Sequence, residues 1–238
     1  MSGHSKWATI HRKKGLIDAE RGKVFQKLAK EIMVAAKGTN GDIDTNASLR
    51  AVVEKARSQN MPKDNIMNAI KKAVGAGEGT NFESIRYEGY APNGIAIMID
   101  CLTDNKNRSA MLVRSTLTKR GGNLGTDGSV SYMFKRRGIL VVENGDFEKI
   151  MDIAIMNDAL DVTEEEGFVT VITDPEDFIK VKEALESEGI VDFVDSQVTF
   201  IADNLIELDE EKQEKVMSLI ESLEDIDDVQ DVYHNLKI

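Results

Sequence analysis

The sequence predicts a multidomain α+β protein: an N-terminal three-helix bundle followed by two ferredoxin-like α+β domains, one inserted in the other. Three observations carry this. Residues 19–75 hold three segments with apolar residues at helical spacing. Residues 138–202 read in the order β-α-β-β-α-β, the ferredoxin-like succession. Residues 80–137 supply only β-β-α-β, and the missing α-β pair stands at 203–238. A simple string of domains would leave two sheets half covered, and an exposed apolar face and edge invite aggregation. The expected domains are 1–78, 79–137 plus 203–238, and 138–202.

The first helix is AERGKVFQKLAKEIMVAAKG, with Val24, Leu28, Ile32 and Ala35 on one face, Lys23, Lys27, Lys30 and Lys37 on another, and Gly38 as its end. NASLRAVVEKARSQN makes the second, capped by Asn46 or Ser48. MPKDNIMNAIKKAVG makes the third, with Pro62 in its first turn. Short connections between three helices imply an antiparallel bundle. Asp42, Asp44 and Asn46 echo a calcium loop, but Ala47 and Val53 stand where glycine and glutamate belong, so this is a turn and a helix cap. GAGEGTN (75–81) is a flexible joint.

ESIRYEGYAP and GIAIMIDCL are strands joined at Pro92-Asn93-Gly94. NRSAMLVRSTLTKRGG is a helix, SVSYMF a strand, and GILVVE a further strand after KRRG. DFEKIMDIAIMNDA is a helix, and DVTEEEG with FVTVITD a hairpin. DPEDFIKVKEALESEG is a helix expected to start at Asp174 and Pro175. VDFVDSQVTFI is a strand, DEEKQEKVMSLIESLED the last helix and DVQDVYHNL the last strand.

Charge divides the chain. The formal net charge is -12, yet residues 1–75 carry 15 Lys and Arg against 7 Asp and Glu, while residues 138–238 carry 6 against 29. A basic half joined to an acidic half points to a polyanion contact on one side only. A single cysteine, Cys101, excludes a disulfide framework and suits a reducing compartment. No apolar run is long enough to span a membrane and no secretory h-region opens the chain, so the expected location is cytoplasmic.

Catalytic signals are weak. Cys101 has no nearby histidine, and His4 and His11 lack supporting carboxylates for a metal. His234 lies in the last strand and reads as structural. RGGNLGTDGSVSY is glycine-rich but follows a helix and lacks a P-loop ending. It is either a turn with residues at positive φ or a close backbone approach to a phosphate chain. No enzyme activity, cofactor, metal or small-molecule substrate is expected.

Polyanion binding fits better. The opening MSGHSKWATIHRKKG holds His4, Lys6, Trp7, His11, Arg12, Lys13 and Lys14 with no acidic residue. Such an arm suits phosphate contacts, and its sole tryptophan either stacks on an unpaired base or anchors the arm on the bundle. The further candidates are Arg21, Lys23, Lys27 and Lys30 on the first helix, then Arg108, then Lys119, Arg120, Lys135, Arg136 and Arg137 around the glycine-rich loop. Taken alone, the helical lysines read first as a solvated face. No recognition helix and no aromatic sheet platform is visible, so sequence-specific base reading is not expected.

MSGHSKWATIHRKKGLIDAERGKVFQKLAKEI resembles the opening of the YebC/PmpR family, as do YEGYAPNGIAIMIDCLTDNKNRSA, KRGGNLG and SVSYMF. ATIHRKK departs from an Asn-Ile-Lys-His-Arg-Lys type run but keeps its basic character. The resemblance covers essentially the full chain and implies a helical domain and two α+β domains, the third inserted in the second. It implies a non-enzymatic, nucleic-acid-binding regulator of gene expression. Relatives are described as DNA-binding transcriptional regulators and as translation factors that relieve ribosome stalling on proline-rich stretches. The strongly acidic C-terminal half disfavours a long duplex, so the expected partner is ribosomal RNA, with promoter DNA as the alternative. An acidic protein-interaction module is a third reading. A monomer is expected.

Overall fold

The computed structural model describes residues 17–37, 39–75 and 82–237, with side chains from residue 22. Its seven described helices are α1 (Ile17–Ala36), α2 (Ala47–Ser58), α3 (Lys63–Gly75), α4 (Lys106–Lys119), α5 (Phe147–Met156), α6 (Phe178–Ser187) and α7 (Glu210–Glu224). The strands are β1 (Glu83–Tyr90), β2 (Ala96–Thr103), β3 (Asn123–Leu124), β4 (Phe134–Glu143), β5 (Asp161–Glu165), β6 (Phe168–Thr173), β7 (Phe193–Ala202), β8 (Ile206–Glu207), β9 (Val229–His234) and β10 (Leu236–Lys237). The protein is a mixed α+β, multidomain chain.

Helices α1 to α3 share one apolar core, in which Leu28, Ile32, Leu49, Val53, Ile66 and Ile70 are buried. Asn46 caps α2: its side chain accepts from the Leu49 N–H at 3.0 Å and donates to the Ala35 carbonyl at 2.9 Å, which ties the start of α2 to the end of α1. The carboxylate of Asp42 accepts from the Asp44 N–H at 3.0 Å, so the calcium-like spacing is an Asx turn. Pro62 lies just outside α3, where its carbonyl accepts from Asn65 and Ile66. The glycine joint at 76–81 lies outside the described residues.

One sheet runs in the order β3-β1-β2-β9 with antiparallel neighbours. One of its faces, built by Ile97 and Ile99, packs on Val113 and Leu117 of α4 and on Val216 and Ile220 of α7. Its other face, at Ala96 and Met98, meets Val130, Phe134 and Ala202. Strand β2 is thus covered on both sides, which explains its continuous apolar run. A second sheet runs β5-β6-β4-β7, again antiparallel, under α5 and α6.

Two expected elements differ. SVSYMF and GILVVE were expected as separate strands with KRRG between them. Ser131–Met133 is instead a short 3-10 turn, and β4 is continuous from Phe134 to Glu143. Strand β7 causes this by pairing Lys135 with Ile201, Arg136 with Phe200 and Arg137 with Thr199, so a partner strand overrides weak local propensity. Helix α6 starts after Asp177 rather than at Asp174. The Asp174 carboxylate is drawn away to Arg137.

Gly138 marks the close approach of α6 to β4. A Cβ there would lie 2.3 Å from Thr173 Oγ1 and 2.8 Å from Phe178 Cβ. Thr173 is fully buried and cannot swing aside. Gly138→Ala is therefore expected to lower the urea midpoint by the equivalent of about 2 kcal/mol, an overpacking cost. An unchanged midpoint would show that the helix moves off the strand at no cost.

Candidate nucleic-acid interface

The arm residues His4, Lys6, Trp7, His11, Arg12, Lys13 and Lys14 lie outside the described residues, as does the side chain of Arg21. The remaining candidates fall into two groups: those whose charge is engaged inside the molecule and those that face solvent uncompensated.

Most are engaged. Lys23, Lys27 and Lys30 follow one another along α1 and meet the C-terminal end of α7 and the turn after it. Lys23 pairs with Asp225 at 2.7 Å. Lys27 donates to the Glu224 carbonyl at 3.0 Å and Lys30 to the Asp227 carbonyl at 2.7 Å. The Glu224 carbonyl is one of those left open at the negative end of the α7 dipole, where ammonium groups are favoured, and Asp227 lies in the turn just beyond. The three lysines thus join the helical region to the body.

Lys30 also reaches Asp228 at 3.3 Å. Asp228 is buried, and its Oδ2 accepts from Arg108 Nη2 at 2.7 Å, Arg108 Nε at 3.1 Å, Ser109 Oγ at 2.9 Å and Thr103 Oγ1 at 3.1 Å. Burial pushes this carboxyl's pKa up, but the bonds from Arg108 and Ser109 and the Lys30 charge outweigh it, so the group is held below the usual range. Arg108 is therefore a structural cation. Arg120 bonds Ser218, Lys135 pairs with Asp203 at 2.9 Å, and Arg137 pairs with Asp174.

The glycine-rich loop is held from inside. Glu88 on β1 is buried and accepts from the N–H groups of Gly128 at 2.9 Å, Val130 at 2.8 Å and Ser131 at 2.8 Å. Backbone donors that would cradle a phosphate are thus already occupied by a carboxylate. Gly121 and Gly128 adopt positive φ, which makes this segment a tight turn.

Lys119 and Arg136 remain without an ion-pair or side-chain hydrogen-bond partner among the described residues. Five cations not singled out in the sequence share that state: Arg57, Lys63, Lys71 and Lys72 on the helical region and Arg114 on α4. All seven are exposed. The signal that separates them from the engaged set is spatial: which cation meets a carboxylate depends on contacts as distant in sequence as Lys30 to Asp228.

The thiol of Cys101 is buried, and burial together with the charges of Asp228 and Asp100 pushes its pKa up to about 12. It stays protonated at neutral pH and is a core group. Among the described residues no three His, Cys, Asp or Glu side chains gather in a metal-like cluster, and no helix is long and apolar enough to cross a membrane.

Residues 5–76 match the model of the TACO1/YebC protein N-terminal domain, and residues 82–236 match the model of the TACO1/YebC second and third domain. The chain belongs to the TACO1/YebC family. It is 51% identical to a probable transcriptional regulatory protein of Geobacter sulfurreducens, over 100% of this chain and 96% of that one. It is 50% identical to a probable transcriptional regulatory protein of Geobacillus thermodenitrificans, over 99% of this chain and 97% of the relative. The crystal structure of a conserved hypothetical protein from Aquifex aeolicus superposes with a TM-score of 0.81 at 42% identity, covering 93% of this chain and 92% of that one. This TACO1/YebC-family chain carries its unpartnered cations, among the described residues, on α2, α3, α4 and β4.

Proposed function

We propose that this protein is a non-enzymatic, cytoplasmic and monomeric nucleic-acid-binding regulator of gene expression that acts on the ribosome, contacting ribosomal RNA through its basic arm and aiding translation of stalling, proline-rich sequences. The observation that carries this reading is the distribution of unspent charge. Residues 1–15 hold Lys6, Arg12, Lys13 and Lys14 without an acidic residue. Lys23, Lys27, Lys30, Arg108, Lys135 and Arg137 are bound within the protein and leave the set of direct contacts. The acidic half is repelled by a uniform polyanion and accommodated by a surface of mixed RNA and basic protein.

The architecture we read is a three-helix bundle over 1–78, a ferredoxin-like unit over 79–137 plus 203–238, and a second, inserted one over 138–202. The strand order β5-β6-β4-β7 and the arrival of β9 beside β2 from the far end of the sequence support it.

A second reading, a DNA-binding transcriptional regulator, is favoured by the names of the relatives. Sucrose-gradient sedimentation of cell lysate separates the two. The wild type is expected in the ribosomal fractions, and Lys13→Glu with Lys14→Glu is expected to reduce that share about tenfold, since phosphate contacts dominate such affinity. Unchanged sedimentation of the double variant would reject the arm as the contact. Wild type at the top of the gradient, with selective retention of promoter fragments, would establish the DNA reading instead.

A further inference from the structure

We infer that the outward face of α4 is a second nucleic-acid contact, gripping a phosphodiester backbone through Arg114 and Lys119; this rests on the reading above that the protein binds nucleic acid. The first observation is compositional. Among the seven described helices α4 alone contains no Asp or Glu, in a chain where Asp and Glu total 42 against 30 Lys and Arg. The second is spatial. The inner face of α4, Ser109, Val113 and Leu117, is buried in the body. Its two N-terminal cations are paired within the protein, Lys106 with Glu83 and Arg108 with Asp104 and Asp228.

Arg114 and Lys119 lie on the opposite side, exposed and without an ion-pair partner among the described residues. With Asn107, Met111, Ser115 and Thr118 they line a shallow depression that includes no carboxylate. The chemistry is that of a strand-binding surface. Arginine and lysine take phosphates, and asparagine, serine and threonine bond phosphate or ribose oxygens without reading sequence. Met111 is 64% exposed, unusual for so apolar a side chain, and offers a soft surface to an unstacked base. The ligand class is a nucleic-acid strand met through its backbone. A protein partner would have to bring acidic groups to this face.

The test measures binding of a short fluorescent oligouridine, and of purified ribosomes, by the full chain across a salt series. Arg114→Gln with Lys119→Gln is compared with the decoy Lys180→Gln with Lys182→Gln, which removes the same charge from another helix. Losing two phosphate contacts to a single strand is expected to reduce the slope of log affinity against log salt by about 1.4, with about tenfold weaker binding at moderate salt. The decoy is expected to match wild type in binding, and the α4 variant to melt at the wild-type temperature, because Arg114 and Lys119 are exposed. An unchanged slope in the α4 variant, with Lys13→Glu plus Lys14→Glu still weakening binding, would overturn the α4 contact and leave the nucleic-acid reading standing. Equal losses in variant and decoy would reduce the effect to net charge and overturn it as well. Absence of salt-dependent binding by wild type would remove both.

Discussion

Asp228→Ala is expected to lower unfolding free energy by about 2–4 kcal/mol, read from the urea midpoint, because it leaves the buried hydroxyls of Thr103 and Ser109 without their acceptor and takes the carboxylate from Arg108 and Lys30. The carboxylate sits where three parts of the chain converge: Thr103 at the end of β2, Arg108 and Ser109 at the start of α4, and Lys30 of α1. Its backbone carbonyl also accepts from the Leu102 N–H at 2.8 Å, holding the start of β9 against β2. Asp228→Asn keeps the shape and loses the charge, so a smaller loss is expected. The pH dependence follows from the sign of the shift. The folded carboxyl is held below its unfolded value, so its contribution is full above an unfolded pKa of about 4 and is lost as pH falls through the lower folded value. Asp228→Asn should therefore flatten the acid limb of the stability profile below about pH 4 relative to wild type. An Asp228→Ala midpoint within experimental error of wild type would mean that the convergence at this residue is geometric and carries no weight.

The helical elements were legible because their signal is local. Leu28 and Ile32 recur on the buried face of α1, although the face runs on through Phe25 and Ala36 and leaves Val24 exposed. Asn46 announces the start of α2 by residue type and accepts the Leu49 N–H. What escaped was set by contacts across long sequence separations. Strand β4 carries Lys135, Arg136 and Arg137 in a run with no strand signature, and only the register with β7, more than fifty residues on, makes it a strand. The same limit governed the site. A lysine on a helix face looks alike whether it awaits a phosphate or meets a neighbouring segment, and Lys23, Lys27 and Lys30 each meet the end of α7 or the turn after it. Arg114 carried no local mark. Its standing comes from what surrounds it, an acid-free face beyond reach of the carboxylates that hold Arg108.

Glu88→Gln is expected to destabilise the protein by about 2–4 kcal/mol while leaving nucleic-acid binding by the folded protein intact. In wild type one oxygen accepts from Gly128 and the other from both Val130 and Ser131. A glutamine keeps one acceptor oxygen and turns an NH2 group toward N–H donors, so at least one buried donor loses its partner, at about 1–3 kcal/mol each. The damage should spread from the loop. Val130 packs with Met98 and Phe134 between the two sheets, and the Met133 carbonyl accepts from Asp203, so the turn at 128–133 positions the entry to β4 and the exit of β7. Faster amide exchange at Gly128, Val130 and Ser131, ahead of the helical core, is the expected signature. Burial raises the Glu88 pKa, and the bonds from the loop N–H groups bring it below the ordinary range; this stabilisation too is present above the unfolded pKa and lost as pH falls through the folded one. The variant also decides what the loop does. If its N–H groups serve Glu88, Glu88→Gln keeps the wild-type salt slope for oligouridine. If they serve a phosphate, releasing them from the carboxylate strengthens binding and steepens that slope, and the loop joins the nucleic-acid surface after all.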